Sequence, residues 1–292
     1  MRAAPMLAAW LLPLSALAMA QSPPLPPPQR PDSTVRDASF VPAQASQGAL
    51  VIGRAAPDAT VEYAGRTLKV GADGHFVFGV PRDAAGPLSV RIVRPDGRAL
   101  VHRLQVLPRD WPMERVVGVP PRTVNPPPAI AARIEREQAA VAAARVRDDD
   151  RDDYLQAFAW PVQGRISGRF GSGRLYVASD GSTQAGSGHS GMDIAAPNGT
   201  PVKAPAAGIV TFAAPDLYLT GGTVLLDHGQ GVSSNFLHLS RIDVKVGDRI
   251  EQGQVIGAVG ATGRATGPHL HWGMSWFDVR LDPLLVLEAG KH

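Results

Sequence analysis

Residues that could bind a metal ion are concentrated in the C-terminal half of the chain. Five of the eight histidines lie between positions 189 and 271. In the segment 189–193, His189 and Asp193 stand four residues apart, and Gly191 permits a tight bend between them. An imidazole and a carboxylate at this spacing can face one cation, and both suit zinc. Taken alone, the pair is better explained by chance or by simple ion pairing.

Two further groups strengthen the metal-site interpretation. His269 and His271 flank Leu270, and because alternate side chains of a strand share a face, both imidazoles would point the same way. One could bind a metal while the other transfers protons. His238 lies in the apolar run 235–240, where a buried structural histidine is the alternative. Two histidines and one aspartate would leave a fourth tetrahedral position for water, as in catalytic zinc sites, and further histidines could act as acid–base groups.

Other chemistry is excluded or isolated. The chain has no cysteine, which excludes thiolate nucleophiles, cysteine-ligated zinc and disulfides. It has no His-Glu-x-x-His sequence, so the helical metalloprotease arrangement is excluded. His228 lies between a strand and a turn, and His75 and His102 stand alone among N-terminal strands, so we interpret these three as structural or surface residues.

The first twenty residues have the features of a secretory signal peptide. Arg2 supplies a positive charge, 6–17 is apolar apart from Ser15, and 18–20 has the small-x-small pattern, so we expect cleavage before Gln21. An uncleaved anchor is the alternative, but the apolar run is shorter than the roughly 20 residues that a membrane span needs. We expect export, with no stable membrane insertion after signal cleavage.

Composition divides the remaining chain into four segments. Residues 21–37 are a Pro-rich linker, and 38–110 form a small β-sandwich, immunoglobulin-like in a loose sense. Residues 111–159 contain a second Pro-rich linker and a helix over 129–156, and 160–292 form an all-β domain. The predicted fold class is therefore mainly β, with a linking α-helix.

Apolar runs between Gly, Pro and Asp turns predict strands in both β regions. In the N-terminal region, the predicted strands are 49–52, 60–63, 76–78, 88–93 and 100–104. In the C-terminal region, they are 208–212, 223–226, 232–239, 254–259 and 269–274. At the end of the predicted helix, acidic residues 148–153 alternate with Arg147 and Arg151, which indicates a solvated, self-paired helix face rather than a cation site.

Four stretches of the last 120 residues resemble the lysostaphin-type (LytM-like) peptidoglycan zinc metalloendopeptidases. The matching stretches are HSGMDIAAPNGTPVKAPAAGIV (189–210), LDHGQGVSSNFLHLS (226–240), VKVGDRIEQGQVIGAVGATG (244–263) and GPHLHWG (267–273). They follow the family's order and spacing.

This resemblance implies a two-layer antiparallel β domain, with a long groove for an extended peptide. It also implies one zinc ion held by His189, Asp193 and His271, with His238 and His269 as the catalytic histidines.

Two local features concern the rim of this groove. The family commonly has Tyr two positions before the first catalytic histidine, and this chain has Phe236, for which we expect only a packing role. The Gly- and Ser-rich residues 171–188 predict a mobile loop at the rim, from which Arg174 and Tyr176 could touch substrate.

The function that the resemblance implies is zinc-dependent hydrolysis of peptide cross-links in peptidoglycan. The partners would be peptidoglycan peptide stems, met in the periplasm or, alternatively, at the cell wall after secretion. The bond would be D-alanyl–diaminopimelate in a Gram-negative envelope or a glycine bridge in a Gram-positive one. We expect a monomer, and no nucleic-acid partner, because the net charge of +3 comes without a basic stripe interleaved with aromatic residues.

Three alternative functions would each require different features of the sequence. An inactive relative that binds the wall would have lost metal ligands, and this chain keeps all of them. Residues 244–257 resemble a segment of lipoyl and biotinyl carriers. Those carriers present a lysine at a hairpin tip flanked by apolar residues, and this segment has no such lysine. A zinc amidase that cuts the sugar–peptide bond is disfavoured only by the matching stretches.

Overall fold

The structure, a computed structural model, describes residues 39–289. The predicted signal peptide and the first Pro-rich linker lie outside these described residues. In the N-terminal region, the strands are β1 (Gln44–Ser46), β2 (Leu50–Arg54), β3 (Thr60–Tyr63), β4 (Arg66–Leu68), β5 (His75–Gly79), β6 (Pro87–Val93) and β7 (Ala99–Leu107). They form a five-stranded sheet of order β1-β7-β6-β3-β4 and a hairpin of β2 and β5.

Alternating burial explains how these two N-terminal sheets pack. In β6, Val90 and Ile92 are buried while the intervening Arg91 is exposed, which is the pattern of a strand with one face on a core. The β2–β5 hairpin covers that face with Phe76 and Phe78. The Tyr63 and Phe78 rings lie 4.3 Å apart between centroids.

The connection between the two β regions is structured. It contains β8 (Met113–Val119), a short 3-10 helix (Pro121–Thr123), α1 (Pro128–Ala143) and a second 3-10 helix (Asp153–Leu155). The predicted helix over 129–156 is therefore wrong beyond Ala143. Residues 147–152 lie outside regular secondary structure because the charged side chains of this segment bind the C-terminal domain: Asp153 is buried and accepts hydrogen bonds from Arg249 at 2.5 and 2.6 Å.

The C-terminal region is built on one large antiparallel sheet. Its elements are β9 (Arg165–Gly168), β10 (Gly173–Ala178), β11 (Thr183–Gly186), β12 (Gly191–Ala195), β13 (Pro201–Lys203), β14 (Gly208–Leu217), β15 (Gly221–Gly229), β16 (Val232–Leu239), β17 (Arg241–Ile242), β18 (Arg249–Ile250), β19 (Val255–Ala258), β20 (His269–Trp276), β21 (Val279–Leu281) and α2 (Pro283–Ala289). The large sheet has the order β18-β14-β15-β16-β20-β12-β9, and β21 also pairs with β20. A smaller sheet has the order β13-β19-β17.

One face of the large sheet is apolar and the other is polar. In β20, Leu270, Trp272 and Met274 are fully buried in the core, whereas His269 and His271 point to the opposite face. Val202 and Ile256 bring the smaller sheet into the same core. The prediction of a mainly β fold is confirmed.

The same core continues into the N-terminal region. Trp276 at the end of β20 packs against Tyr63, with 5.8 Å between ring centroids. None of the helices within residues 39–289 has the length and apolar character needed to span a membrane.

The prediction of a mobile loop over 171–188 is wrong. These residues form the β10–β11 hairpin, and β10 pairs in parallel with β8 from the connecting segment. Pairing with β8 gives β10 hydrogen-bond partners on both edges, which local sequence could not show. The hairpin does lie at the rim of the groove.

Candidate metal centre

The pairing of β12 with β20 brings the first two candidate ligands together. Asp193 lies directly opposite His271 in this antiparallel pair, although 78 residues separate them in the chain. Residues opposite each other in adjacent strands present their side chains on the same face. Both therefore point to the polar side of the large sheet.

The third candidate ligand, His189, is held just before β12. Its backbone N–H donates to the Ser172 carbonyl at 2.8 Å, and its carbonyl accepts from Gly171 at 2.8 Å. Glycine at position 191 is required by close approach: a Cβ there would lie 2.7 Å from His271 Nε2 and 2.5 Å from the Trp272 carbonyl oxygen.

The three side chains converge on one point. His189 Nε2 lies 3.0 Å from Asp193 Oδ1 and 3.0 Å from His271 Nδ1, and His271 Nδ1 lies 2.9 Å from Asp193 Oδ1. All three residues are buried. Within residues 39–289, this is the cluster whose histidine and acidic ligand atoms are close enough to share a metal ion.

The hydrogen-bond partners indicate that the cluster has too few protons for its close contacts. His189 Nδ1 lies 2.9 Å from the Arg169 carbonyl, which can only accept, so Nδ1 carries the proton and Nε2 offers a lone pair. A proton on His271 Nδ1 could satisfy one of the three contacts but not all of them. Because His189 Nε2 and Asp193 Oδ1 both present lone pairs to His271 Nδ1, a shared cation at this point would satisfy all three atoms.

A zinc ion fits this donor set. Zinc ligands lie about 2.0–2.2 Å from the ion, which places the ligand atoms of one tetrahedral centre roughly 3.3 Å apart. The observed separations of 2.9–3.0 Å are close to this value. Two imidazoles and one carboxylate form the three-ligand set of a catalytic site with an open fourth position.

The ionisation of the cluster agrees with metal binding. Burial would raise the pKa of Asp193, but hydrogen bonds to His189 and His271 hold that pKa well below its usual range. Burial lowers the pKa of His271 to about 4. At neutral pH Asp193 is therefore a carboxylate and His271 a neutral imidazole, the forms that bind zinc.

Arg174 supports the carboxylate, a contact that the sequence did not predict. Its Nη2 donates to Asp193 Oδ2 at 2.9 Å, while its Nε lies 3.4 Å from Glu114 on β8. Asp193 Oδ1 is thereby left for the metal, and partners of this kind orient metal ligands. A side chain at position 168 would be 2.5 Å from Arg174 Nη2, so Gly168 makes room for the contact.

His238 and His269 lie beside the ligand cluster. Their ring centroids are 4.8 Å apart, and His238 lies 6.4 Å from His271. His238 Nδ1 donates to the Thr262 carbonyl and His269 Nδ1 to the Gly267 carbonyl, both at 2.8 Å. Each ring thus keeps Nε2 for other partners, and His269 Nε2 is 3.8 Å from Asp193 Oδ1.

His238 reaches this position through an unusual backbone conformation. Phe236 is fully buried in the core, so strict alternation along β16 would also turn His238 toward the core. Instead His238 has φ +64°, a left-handed conformation that non-glycine residues rarely adopt and that clusters at functional sites. Burial, together with the charges of His269 and His271, lowers the pKa of His238 to about 3.

The other predicted residues fall into structural or peripheral positions. His228 is fully buried, with Nδ1 at 2.7 Å from the Ala207 carbonyl and Nε2 at 2.8 Å from Ser234 Oγ, which confirms its structural role. Phe236 packs in the core, as expected. Tyr176 lines the groove beneath the guanidinium of Arg264, which lies 3.8 Å from its ring centroid.

The ligand cluster opens into a groove of about 850 Å³. Its walls come from the β10–β11 hairpin, helix α1, the loop before β20 and the polar face of the large sheet. A cavity of this size suits an extended ligand with several residues.

Comparisons with known proteins agree with this geometry. Residues 187–283 match the family model described as peptidase family M23. Peptidoglycan DD-endopeptidase ShyA of Vibrio cholerae is 40% identical over 128 residues, which are 43% of this chain and 29% of ShyA. Peptidoglycan DD-endopeptidase ShyC of the same organism is 41% identical over 108 residues, which are 37% of this chain and 24% of ShyC. The match thus spans less than a third of the length of these curated relatives.

A solved structure extends the similarity over both β regions. A crystal structure described as a peptidase M23 from Pseudomonas aeruginosa is 33% identical, with a TM-score of 0.64. The alignment covers 84% of this chain and 95% of that chain. With its shared fold and a ligand cluster that accepts zinc, this chain belongs to peptidase family M23.

Proposed function

We propose that this chain is an exported zinc metalloendopeptidase that hydrolyses peptide cross-links of peptidoglycan. The observation that carries the proposal is the convergence of His189, Asp193 and His271 within 3.0 Å of one another at the floor of a long groove. The printed names of ShyA and ShyC, both peptidoglycan DD-endopeptidases, support the substrate class. These names favour a D-alanyl–diaminopimelate bond over a glycine bridge.

In this proposal, His189, Asp193 and His271 hold the zinc ion. A zinc ion held there would supply polarisation of the scissile carbonyl and a water molecule that ionises near neutral pH. Arg174 keeps Asp193 oriented by binding its second oxygen.

His238 and His269 are the proposed acid–base pair. The Thr262 and Gly267 carbonyls hold the Nδ1 protons of these rings and so fix their tautomers. Each Nε2 can then accept a proton from the attacking water and return it to the leaving amine. The protonated form of either ring can also donate to the oxyanion that develops on the scissile carbonyl.

The proposed location follows from the substrate and from the predicted signal peptide. Peptidoglycan lies outside the cytoplasmic membrane, so its hydrolase must be exported. We infer a periplasmic enzyme, cleaved before Gln21 and monomeric.

The test is digestion of purified sacculi by zinc-loaded mature protein and by a His189→Ala variant. The mature protein should release monomeric muropeptides from cross-linked dimers, and the variant should release none. Mass spectrometry of the products identifies the bond: a new free amine on diaminopimelate marks an endopeptidase, whereas free stem peptides would mark an amidase. Equal release by both proteins would refute the zinc mechanism.

A further inference from the structure

Two arginines line the groove away from the ligand cluster. Arg145 follows the end of α1, and Arg280 lies on β21. Arg280 Nη1 donates to Ser275 Oγ at 3.0 Å. Arg145 Nε is buried and has no hydrogen-bond partner. Among residues 39–289, no carboxylate lies within ion-pair distance of either guanidinium.

The guanidiniums of Arg145 and Arg280 therefore carry positive charge without a counterion in a partly desolvated part of the groove. Burial, with the nearby charge of Arg280, lowers the pKa of Arg145 to about 9. Burial also lowers the pKa of Arg280, and the acid that opposes this effect is Asp278, which is 85% exposed and pairs with Arg66 at 3.4 Å. Buried charges are costly unless paired, so each of the two guanidiniums favours an anionic partner in the groove.

Elsewhere in the same region, arginines do have carboxylate partners. Arg151 and Arg249 both bind the buried carboxylate of Asp153. The unpaired state of Arg145 and Arg280 is thus a local property of the groove. Arg264 and Arg115 of the same groove also have no carboxylate partner in the part of the chain that the structure describes, but Arg264 donates to the Thr123 carbonyl and lies over the Tyr176 ring, and Arg115 is exposed.

The position of the pair relates it to a bound peptide. Ser275, which holds Arg280, lies four residues from His271 along β20. At about 3.3 Å per residue, this is roughly 13 Å, the span of about four residues of an extended chain. A peptide lying in the groove with its scissile bond at the ligand cluster would reach the arginines a few residues away.

We propose that Arg145 and Arg280 form a subsite for a free carboxylate of the substrate peptide. The planar fork of a guanidinium matches a carboxylate through two parallel hydrogen bonds. This inference rests on the proposed function and deepens it. Diaminopimelate stems carry free carboxylates and a glycine bridge carries none, so the subsite selects the diaminopimelate class of cross-link.

The test uses synthetic cross-linked peptides that differ only in charge. One peptide keeps every free carboxylate, and in the others each carboxylate is converted in turn to its amide. Zinc-loaded wild-type protein should cleave one amidated peptide with a kcat/KM about 10- to 100-fold lower, the range expected for a lost charge-assisted hydrogen bond. The loss should lie mainly in KM.

Variants then assign the effect to the two arginines. Arg280→Gln and Arg145→Gln should each lower kcat/KM on the carboxylate peptide by about 10- to 100-fold and leave cleavage of that amidated peptide nearly unchanged. Arg280→Lys should recover part of the loss, because the charge is kept without the fork. Arg115→Gln, which removes an exposed arginine of the same groove, is the matched control and should not discriminate between the peptides.

The outcomes separate the subsite from the activity. Equal cleavage of all the peptides by wild-type protein would refute the subsite while the endopeptidase function stands. Equal losses on both peptides in Arg280→Gln and Arg145→Gln would show a structural role and would also refute the subsite. Failure of wild-type protein to cleave any peptide or sacculi would overturn the proposed function and this inference with it.

Discussion

Two polar regions on the same side of the large sheet differ in how their charges are matched. The anchor network, defined as Arg151, Asp153, Asp227 and Arg249, pairs each buried carboxylate with at least one guanidinium. In the groove, by contrast, lone pairs of His189, Asp193 and His271 meet without enough protons.

This difference distinguishes polar groups that stabilise the fold from polar groups that are available to bind a ligand. Buried polar groups in folded proteins are normally satisfied, and a satisfied network rigidifies the fold. The carboxylates of the anchor network meet this rule, although Arg151 Nε is buried without a hydrogen-bond partner, and the network ties residues 151–153 to the C-terminal domain. The groove departs from this rule in two places. The ligand cluster has lone pairs that need a cation, and Arg145 and Arg280 have positive charge that needs an anion.

The largest effect is expected from breaking the ligand cluster. His189→Ala should reduce bound zinc from one per chain to almost none and lower cleavage by about 10⁴-fold or more, because both carbonyl polarisation and water activation are lost. Zinc content after dialysis and cleavage rate measure the two effects. His102→Ala, in the N-terminal sandwich, is the control, and full zinc retention in His189→Ala would contradict the proposed site.

Removing an acid–base histidine should lower the rate but spare the metal. His238→Asn should reduce kcat by about 10²- to 10⁴-fold with zinc content unchanged. Asparagine tolerates the left-handed backbone seen at this position, so the strand end is preserved. Loss of zinc in this variant would instead place His238 among the ligands.

A smaller effect should follow from removing the support of Asp193. Arg174→Gln deletes the charged contact to Asp193 Oδ2, and zinc affinity should fall about 10- to 100-fold. Competition with a zinc chelator measures the affinity. Arg165→Gln, at an exposed position on β9, should leave it unchanged; equal affinities in Arg174→Gln and wild type would show that the contact does not orient the ligand.

The smallest effect on activity is expected in the anchor network, where the change should appear in stability. Asp153→Asn should lower the free energy of unfolding by about 2 kcal/mol at pH 7, since two arginines lose a charged partner. Urea unfolding of the zinc-loaded protein measures this, with the exposed Asp152→Asn as control. A loss in the control as large as that in Asp153→Asn would contradict the role of the network.

The difference in stability between wild type and Asp153→Asn should depend on pH, in a direction that follows from the pKa of Asp153. Burial would raise the pKa of Asp153, but hydrogen bonds and charge from Arg249 and Arg151 lower it overall. An aspartate whose native pKa is lowered stabilises the fold at pH values above its unfolded pKa of about 3.9. This stabilisation is lost as the pH falls through the native pKa. The difference between wild type and Asp153→Asn should therefore shrink below about pH 4.

About half of the strands within residues 39–289 could be predicted from local pattern. β3 and β16 have the predicted limits of 60–63 and 232–239, because apolar runs bounded by turn residues specify a strand locally. The predicted helix was too long because the amino-acid composition after Ala143 still favours a helix. Ion pairs from Asp153 to Arg249, 96 residues away, override that propensity.

By itself, the sequence determined which donor atoms exist and which of them share a face: His269 and His271 by strand alternation, and His189 with Asp193 by spacing. Only the tertiary structure decided that β12 pairs with β20 in the register that sets Asp193 opposite His271. It also decided the left-handed turn of His238, the Arg174 contact and the placement of Arg145 and Arg280 in one groove. These features depend on long-range pairing and packing, which leave no local signature in the chain.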